Sequence, residues 1–212
     1  MFDVYKESNW RKGMITIRNI NLKNKKQTIL KFDEYTFDNK KKYVILGENG
    51  SGKTFLLRYL HQNKNKNISV GISSNKFKRT TVLIEHETRL MSGLSVWKNV
   101  IMGIPKLTKE KQYFVTKLCK QFELSSYFKD SIKNISFSKQ KLIELIRAIT
   151  IAPHLLLIDD FDKYFDEITS IQATALLQLA VAQDIIIICT ASESQMGFDE
   201  TLVIQQKKLY SQ

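Results

Sequence analysis

The sequence predicts an α/β protein: a mostly parallel sheet flanked by helices, preceded by a strand-rich N-terminal β-subdomain and interrupted by a helical insertion. Two short runs, residues 155–158 and 185–188, are apolar throughout, as expected for central parallel strands that are covered on both faces. A glycine-rich stretch at residues 47–54 stands between a strand-like run and a helix-like run. The chain has 212 residues, which suits one domain. We therefore expect residues 1–212 to form a single unit, with the helical insert at about 88–140.

The spacing of apolar residues predicts the order of the elements. Alternating or wholly apolar short runs indicate strands, and apolar residues three or four positions apart indicate helices. The predicted strands are residues 14–17, 43–46, 81–84, 155–158 and 185–188, followed by a terminal hairpin of 202–204 and 208–210. The predicted helical regions begin at Thr54 and cover 88–139 and 168–182, and residues 64–67 are expected to form a polar loop.

The composition restricts the class of partner and the compartment. Lys and Arg number 33 against 21 Asp and Glu, giving a net charge of +12, which favours anionic partners such as nucleic acid, anionic lipid or phosphate ligands. Cys119 and Cys189 are far apart and have no metal-ligand spacing, which fits a reducing compartment. The N-terminus has no secretory signal pattern, and no apolar run reaches the ~20 residues that a membrane span needs. We therefore expect a cytoplasmic protein that reaches a membrane only by docking on a partner.

One motif points directly to a ligand. Residues 47–54, here called the phosphate loop, match G-x-x-x-x-G-K-[ST] in full and lie between a predicted strand and a predicted helix. Glycines let successive backbone N–H groups face a phosphate, and the following helix presents its N-terminus to the same anion. Lys53 is expected to reach the β- and γ-phosphates, and the Thr54 hydroxyl is expected to bind Mg²⁺. The predicted cofactor-binding residues of the loop are Gly47, Glu48, Asn49, Gly50, Ser51, Gly52, Lys53 and Thr54. The fold prediction thereby becomes that of a P-loop NTPase core.

A second motif supplies the other half of the phosphate site. The apolar run 155–158 ends in two carboxylates, Asp159 and Asp160. A buried strand that ends in Asp places a carboxylate at the edge of the sheet where ligands bind in open α/β folds. Asp159 is expected to support Mg²⁺ from the side opposite Thr54, and Asp160 to face the attacking water. A strand followed by an Asp-rich turn is the alternative interpretation.

The order of these and further motifs resembles the nucleotide-binding domain of ABC ATPases, and the resemblance covers essentially the whole chain. The phosphate loop has the form GENGSGKT, which is typical of that family. Residues 94–100 are similar to the stretch after the family's Q-loop, and residues 134–136 with the helix ending at 146–149 are similar to its signature motif. Residues 161–166 resemble the D-loop, and residues 189–191 end a strand where the H-loop lies. The resemblance implies ATP and Mg²⁺ as cofactors, and sites formed between two chains.

Several positions depart from the family's pattern. The Q-loop glutamine aligns with His86, and the glutamate after the Mg²⁺ aspartate is Asp160. The switch histidine aligns with Ala191. The signature LSGGQ aligns with residues 135–139, here called the signature segment, of which only Ser136 keeps the family residue. The resemblance thus implies a binding half that is intact and a hydrolysis half that is weakened.

The adenine-stacking aromatic residue of the family is also missing from its usual place. That position aligns with Asn24. Tyr5, Trp10 and Tyr35 are the aromatic residues that could substitute for it.

The signature segment has physical consequences for a facing nucleotide. Glycines allow close backbone approach to the γ-phosphate, whereas Phe137 and Ser138 restrict it. Ser136 and the N-terminus of the following helix could still donate to the phosphate, and Lys139 adds a positive charge. A plain helix N-cap is the alternative role for Ser136.

The remaining departures concern catalysis. Asp160 is one methylene shorter than glutamate, and a displacement of about 1 Å can slow a reaction about 100-fold. Ala191 offers no side-chain donor, and one lost preoriented donor typically slows a reaction about 10²- to 10³-fold. His86 could still contact Mg²⁺ or water, or could be a half-exposed histidine at a strand end. We therefore predict slow or partner-dependent ATP hydrolysis, with Asp160, Lys53 and His86 as the catalytic candidates.

Three functions fit these expectations. The first is the ATP-binding subunit of an ABC transporter, at the inner face of the cell membrane, acting with a separate transmembrane permease and a like or unlike ATPase chain. Small ATPases of this family often serve peptide or bacteriocin export and immunity. The second is a nucleotide-gated regulatory module with little catalysis. The third is a nucleic-acid-handling ABC protein, which the charge permits but which the lack of a basic run with interleaved aromatics disfavours.

Overall fold

The structure is a computed structural model that describes residues 14–24, 27–62, 68–70, 81–104, 106–194 and 197–212. Within these ranges the strands form two sheets. The smaller sheet is antiparallel and has the order β2-β1-β4, in which β1 is Met14–Asn24, β2 is Gln27–Asp38 and β4 is Ile68–Val70. This sheet places Ile29, near the start of β2, beside the phosphate loop.

The larger sheet carries the carboxyl-terminal strand ends at which the candidate site lies. Its strands are β3 (Lys42–Leu46), β5 (Thr81–Ile84), β6 (Leu155–Ile158), β7 (Ile186–Ala191), β8 (Glu200–Gln205) and β9 (Lys208–Ser211). Their spatial order is β5-β6-β7-β3-β8-β9, and every neighbouring pair is parallel except the terminal hairpin β8–β9. In this order β7 separates β3, which leads into the phosphate loop, from β6, which leads into Asp159.

Five α-helices lie in the described ranges, and four of them begin at a side-chain cap. They are α1 (Lys53–Gln62), α2 (Val96–Ile101), α3 (Lys109–Gln121), α4 (Phe137–Ile151) and α5 (Glu167–Val181). Ser95, Thr108, Ser136 and Asp166 each accept a hydrogen bond from the N–H three residues later, which satisfies a donor that the helix itself leaves free. Capping by short polar side chains therefore sets where α2 to α5 start.

The central strands bury both of their faces. On one face, Leu156 and Ile187 belong to an apolar cluster shared with α4 and α5. On the other face, Leu157 and Ile188 belong to a second cluster shared with α1 and the strands β1 and β2. Burial on both faces explains why β6 and β7 are apolar without alternation.

Some elements differ from the sequence prediction. Strands β2 and β4 were not predicted, and β1 is much longer than the predicted residues 14–17. The region 88–139 is helical only in part: beside α2, α3 and the start of α4 it contains short 3-10 turns and irregular loops. The predicted polar loop at 64–67 lies outside the described residues.

A buried amide explains the irregular stretch before α2. Asn99 is 0% exposed, and its Oδ1 accepts from the N–H of Met91 at 2.7 Å. Its Nδ2 donates to the carbonyl oxygens of Met91, Leu94 and Ser95. One side chain thus satisfies the backbone of a loop that would otherwise carry unpaired polar groups.

Across the described ranges, none of the helices combines the length and the apolar character needed to cross a bilayer.

Candidate active site

The phosphate loop follows β3 directly, and two of its glycines have a left-handed backbone conformation. Gly50 has φ +83° and Gly52 has φ +107°, a region that favours glycine. A Cβ at Gly52 would lie 2.7 Å from Cγ2 of Ile29 on β2, so a side chain has no room there. The loop therefore depends on glycine for its backbone angles and for its packing against the smaller sheet.

Lys53 and Ser51 place two polar groups within the phosphate loop. Lys53 is 6% exposed, and its Nζ donates to the carbonyl oxygens of Gly47 at 2.5 Å and Glu48 at 3.2 Å. Oγ of Ser51 is buried and has no hydrogen-bond partner among the described residues. A buried ammonium and an unpartnered buried hydroxyl in one glycine-rich loop fit a phosphate oxygen as their common acceptor.

Thr54 and Asp159 meet as the sequence predicts for a divalent cation site. Oγ1 of Thr54 donates to Oδ2 of Asp159 at 2.7 Å. Asp159 is 7% exposed, and its N–H donates to the carbonyl of Ile84 at the end of β5. A hydroxyl and a carboxylate side by side are the hard oxygen ligands that Mg²⁺ prefers.

Thr190, on β7, joins the two aspartates and was not identified from the sequence. It is 0% exposed, and its Oγ1 donates to Oδ1 of Asp159 at 2.7 Å. The same oxygen accepts from the N–H of Asp160 at 2.8 Å. Asp160 has a left-handed backbone with φ +50°, and Thr190 therefore fixes both where Asp159 points and how the chain turns at Asp160.

Asp160 has a cationic partner from its own turn. Its Oδ2 lies 2.7 Å from Nζ of Lys163. The pair spans the 3-10 turn Phe161–Lys163, and no other hydrogen bond of the Asp160 side chain is recorded among the described residues. Lys163 was also missed by the sequence analysis, although its spacing of three from Asp160 is a visible signal.

The signature segment begins α4. Oγ of Ser136 accepts from the N–H of Lys139 at 3.5 Å, so Ser136 is the N-cap of the helix. The Phe137 side chain is 39% exposed, and its ring lies 5.7 Å from that of His86 and 6.0 Å from that of Tyr164. A large ring thus stands at the helix N-terminus where the aligned family residue is glycine.

The charge of Lys139 is held within its own chain. Its Nζ donates to the Tyr127 hydroxyl at 2.6 Å and lies 4.3 Å from the centroid of that ring. The side chain that was expected to compensate for the altered signature therefore has an internal partner in this structure.

A buried ion pair lies just behind the signature segment. Lys141 is 0% exposed; its Nζ lies 2.9 Å from Oε2 of Glu144 and 2.5 Å from the carbonyl of Glu85. The ammonium also lies over the rings of Phe137 and Tyr164, at 5.4 Å and 4.7 Å from their centroids. This cluster ties α4 to the segment that carries His86, and burial raises the pKa of the Tyr164 hydroxyl well above its usual range.

His86 and Ala191 occupy different environments. His86 is exposed, two residues beyond the end of β5, and its recorded contacts are with the aromatic rings of Phe137 and Tyr164. Ala191 is the last residue of β7 and is 0% exposed. The structure therefore brings Lys53, Thr54, Asp159 and Asp160 to one edge of the sheet, and it places His86 beside the signature segment.

Tyr35 does not lie at this edge of the sheet. Its hydroxyl donates to Glu200 at 2.8 Å, and Glu200 pairs with Tyr43 near the start of β3. The phosphate loop follows the opposite end of that strand. Burial, with the bond to Glu200, raises the pKa of Tyr35 well above its usual range.

The other candidates for adenine stacking are placed as follows. Asn24 pairs with Gln27 at the turn between β1 and β2. Tyr5 and Trp10 lie outside the described residues.

Comparison with known proteins agrees with this geometry. The family described as ABC transporter matches residues 30–162. The phosphate import ATP-binding protein PstB of Mycoplasma genitalium is 24% identical over 237 aligned residues, covering 99% of this chain and 72% of that protein. The Fe(3+) ions import ATP-binding protein FbpC 2 of Pectobacterium atrosepticum is 25% identical over 201 residues, covering 86% of this chain and 58% of that protein.

Solved structures show the same fold. An ATP-binding subunit of an ABC transporter superposes with a TM-score of 0.78 at 13% identity, covering 94% of this chain and 89% of the other. An ATP-binding cassette of an ABC transporter in its ADP conformation gives a TM-score of 0.76 at 15% identity, with the same coverage. The predicted α/β fold of a P-loop core is thereby confirmed. The family match, together with a phosphate loop, a paired threonine and aspartate and a parallel sheet, shows that this chain belongs to the ABC transporter family, as one of its ATP-binding ATPase subunits.

Proposed function

We propose that this chain binds Mg-ATP at the phosphate loop and powers a separate membrane permease, with hydrolysis that is slow unless a second ATPase chain completes the site. The whole chain acts as one ATPase unit, with the helical part at about 88–140 as its insert. The observation that carries the proposal is the hydrogen-bond chain from Thr54 through Asp159 to Thr190, which joins the phosphate loop to the ends of β6 and β7.

The residues present fit ATP and Mg²⁺. Ser51 and Lys53 would hold the phosphates, because one has an unpartnered buried hydroxyl and the other a buried ammonium. Oxygens of Thr54 and Asp159 would hold Mg²⁺. A bound Mg²⁺ would neutralise part of the negative charge of the phosphates. The Asp160 carboxylate would accept a proton from the attacking water.

Two features support slow hydrolysis. Ala191 has no donor to place on a developing negative charge, and one missing preoriented donor typically slows a reaction about 10²- to 10³-fold. Phe137 is partly exposed at the N-terminus of α4, where its ring restricts the approach of a facing phosphate. In a pair with a better-equipped chain, the two defects would fall in different sites.

The partners follow from the same reasoning. We propose that a permease docks on the helical part and that a like or unlike ATPase chain faces the phosphate loop, at the inner face of the membrane. The two named relatives serve phosphate and iron import, whereas the family resemblance suggests peptide or bacteriocin export or immunity. Identifying the permease that copurifies with the chain would distinguish import from export and indicate the transported substrate.

The catalytic part of the proposal is tested by ATP turnover. We expect the purified chain to bind ATP with Mg²⁺, to hydrolyse it slowly, and to lose both properties in Lys53→Ala. Lys208→Ala, at an exposed position of β9, is the control and should behave as wild type. Turnover of roughly tens per second by the chain alone, an ordinary enzyme rate, would refute slow hydrolysis.

The partner is tested by affinity purification from detergent-solubilised membranes in the presence of ATP. A stoichiometric integral membrane protein supports the transporter role. Recovery of the chain without a membrane protein would overturn it in favour of a nucleotide-gated regulatory module, and copurifying nucleic acid would favour the third alternative.

A further inference from the structure

The turn that follows β6 brings Lys163 into contact with Asp160, the candidate base. The N–H of Lys163 donates to the carbonyl of Asp160 at 3.0 Å, which closes a tight turn. Its Nζ then returns to Oδ2 of Asp160 at 2.7 Å. Because side chains three residues apart lie on the same side of a 3-10 turn, the backbone itself brings these two charges together.

Both ends of this ion pair are held by buried neighbours. The turn is anchored by Phe161 and Tyr164, which are 2% and 1% exposed. On the Asp160 side, the backbone N–H is fixed by Thr190 at 2.8 Å. A surface ion pair must order two flexible side chains, and here the buried neighbours fix the backbone from which both side chains start.

The ion pair with Lys163 occupies only one of the two carboxylate oxygens of Asp160. Oδ2 of Asp160 contacts Lys163, and no partner of Oδ1 is recorded among the described residues. The side chain of Asp160 is 25% exposed, so a water molecule can reach this carboxylate. The bond to Asp160 and the nearby carboxylates of Asp162 and Asp159 raise the pKa of Lys163, which keeps its charge.

We propose that Lys163 is a positioning residue for Asp160: its ammonium holds Oδ2 and thereby presents Oδ1 to the attacking water. This inference rests on the proposed role of Asp160 as the base. The lysine fixes the direction of a carboxylate that is one methylene shorter than the family's glutamate.

The test measures single-turnover ATP hydrolysis in the presence of Mg²⁺, with the full chain in excess over ATP. We expect Lys163→Met to lower the rate constant about 10- to 100-fold, as for a misplaced catalytic group, while the Kd for ATP stays within about twofold. Lys163→Arg keeps the charge and should recover most of the rate. Because Lys163 acts through Asp160, adding Lys163→Met to Asp160→Asn should slow the reaction no further.

The control and the contrary outcomes separate this inference from the role of Asp160. Lys41→Met removes a lysine of similar exposure from its pair with Glu200, at the opposite end of β3, and should leave the rate unchanged. If Asp160→Asn retains the wild-type rate, the proposed base is wrong. If Asp160→Asn abolishes hydrolysis but Lys163→Met does not slow it, or Lys163→Arg fails to recover it, the positioning role of Lys163 is refuted.

Discussion

Thr190 donates its hydroxyl hydrogen to Oδ1 of Asp159 across two neighbouring strands, at a distance of 2.7 Å. The oxygen that donates this bond also accepts the N–H of Asp160. A single buried hydroxyl therefore links the carboxylate of Asp159 to the backbone of Asp160.

Replacing this hydroxyl by a methyl group gives the first prediction. Thr190→Val keeps the shape but leaves a buried N–H and a carboxylate oxygen without their partner, which should destabilise the fold by about 1–3 kcal/mol. ATP turnover should fall, and the Mg²⁺ concentration needed for half-maximal binding should rise, because Asp159 loses its orientation. Urea denaturation and Mg²⁺ titrations measure the two effects. Thr190→Ser keeps the hydroxyl and is the control; equal turnover in the Val variant and wild type would contradict the assignment.

The second prediction concerns the buried pair of Lys141 and Glu144. Lys141→Met leaves the buried Glu144 carboxylate with only the more distant Arg147, 3.9 Å away, as a cationic partner, and removing one partner of a buried ion pair typically costs about 3–5 kcal/mol. Adding Glu144→Gln removes the buried negative charge while keeping an acceptor for the N–H of Arg89, to which Oε1 of Glu144 is bonded at 2.6 Å. The double variant should therefore be more stable than Lys141→Met alone in urea denaturation. If the double variant is no more stable than Lys141→Met, the loss of stability does not come from breaking the ion pair.

The third prediction tests the amide that holds the loop before α2. Asn99→Ala removes one acceptor and the donors to three carbonyl groups from a buried site, so we expect a loss of about 2–3 kcal/mol in the free energy of unfolding. ATP binding should be retained at temperatures where the variant is folded, since the Asn99 side chain bonds to the backbone of residues 91–95 and not to the phosphate loop. Gln121→Ala, an exposed amide on α3, is the control and should change stability by less than about 0.5 kcal/mol.

The fourth prediction is a pH dependence at the N-cap of α5. The Asp166 carboxylate accepts from the N–H of Thr169 at 2.9 Å and from its hydroxyl at 2.8 Å. These bonds, the backbone one first, lower the pKa of Asp166 from its ordinary value of 3.8. A lowered folded-state pKa means that the carboxylate stabilises the fold above pH 3.8, and that this stabilisation is lost as the pH falls through the lower value.

Asp166→Ala is therefore expected to be less stable than wild type at neutral pH, and the difference should narrow as the pH falls below 3.8. Urea denaturation over a series of pH values measures the difference. Parallel stability curves for the two proteins through the acid range would show that the cap does not depend on the charge.

The sequence predicts those parts of the site that consist of consecutive residues. The phosphate loop is one stretch of chain whose glycines, lysine and threonine are recognisable without knowing the fold. The strand before Asp159 is equally visible, because burial on both faces removes polar residues from it. In contrast, β2 contains exposed Lys31, Asp33 and Glu34, which hide its strand character.

The contacts that sequence reasoning missed depend on which strands become neighbours. Thr190 lies 31 positions from Asp159 along the chain, and only the pairing of β6 with β7 brings them together. The direction of a strand matters equally for Tyr35, whose position beside the start of β3 follows from the pairing of Tyr43 with Glu200. Local patterns contain neither the order nor the direction of strands.

The position of β7 between β3 and β6 has a consequence for synthesis on the ribosome. The phosphate loop and the two aspartates are made earlier than β7, yet the sheet that aligns them has a gap until Ile186–Ala191 inserts between the two older strands. Neither β3 nor β6 can pair with β7 before β7 has been synthesised. A nascent chain that stops short of β7 would therefore carry every predicted phosphate-binding residue and still lack the strand that aligns them in the sheet.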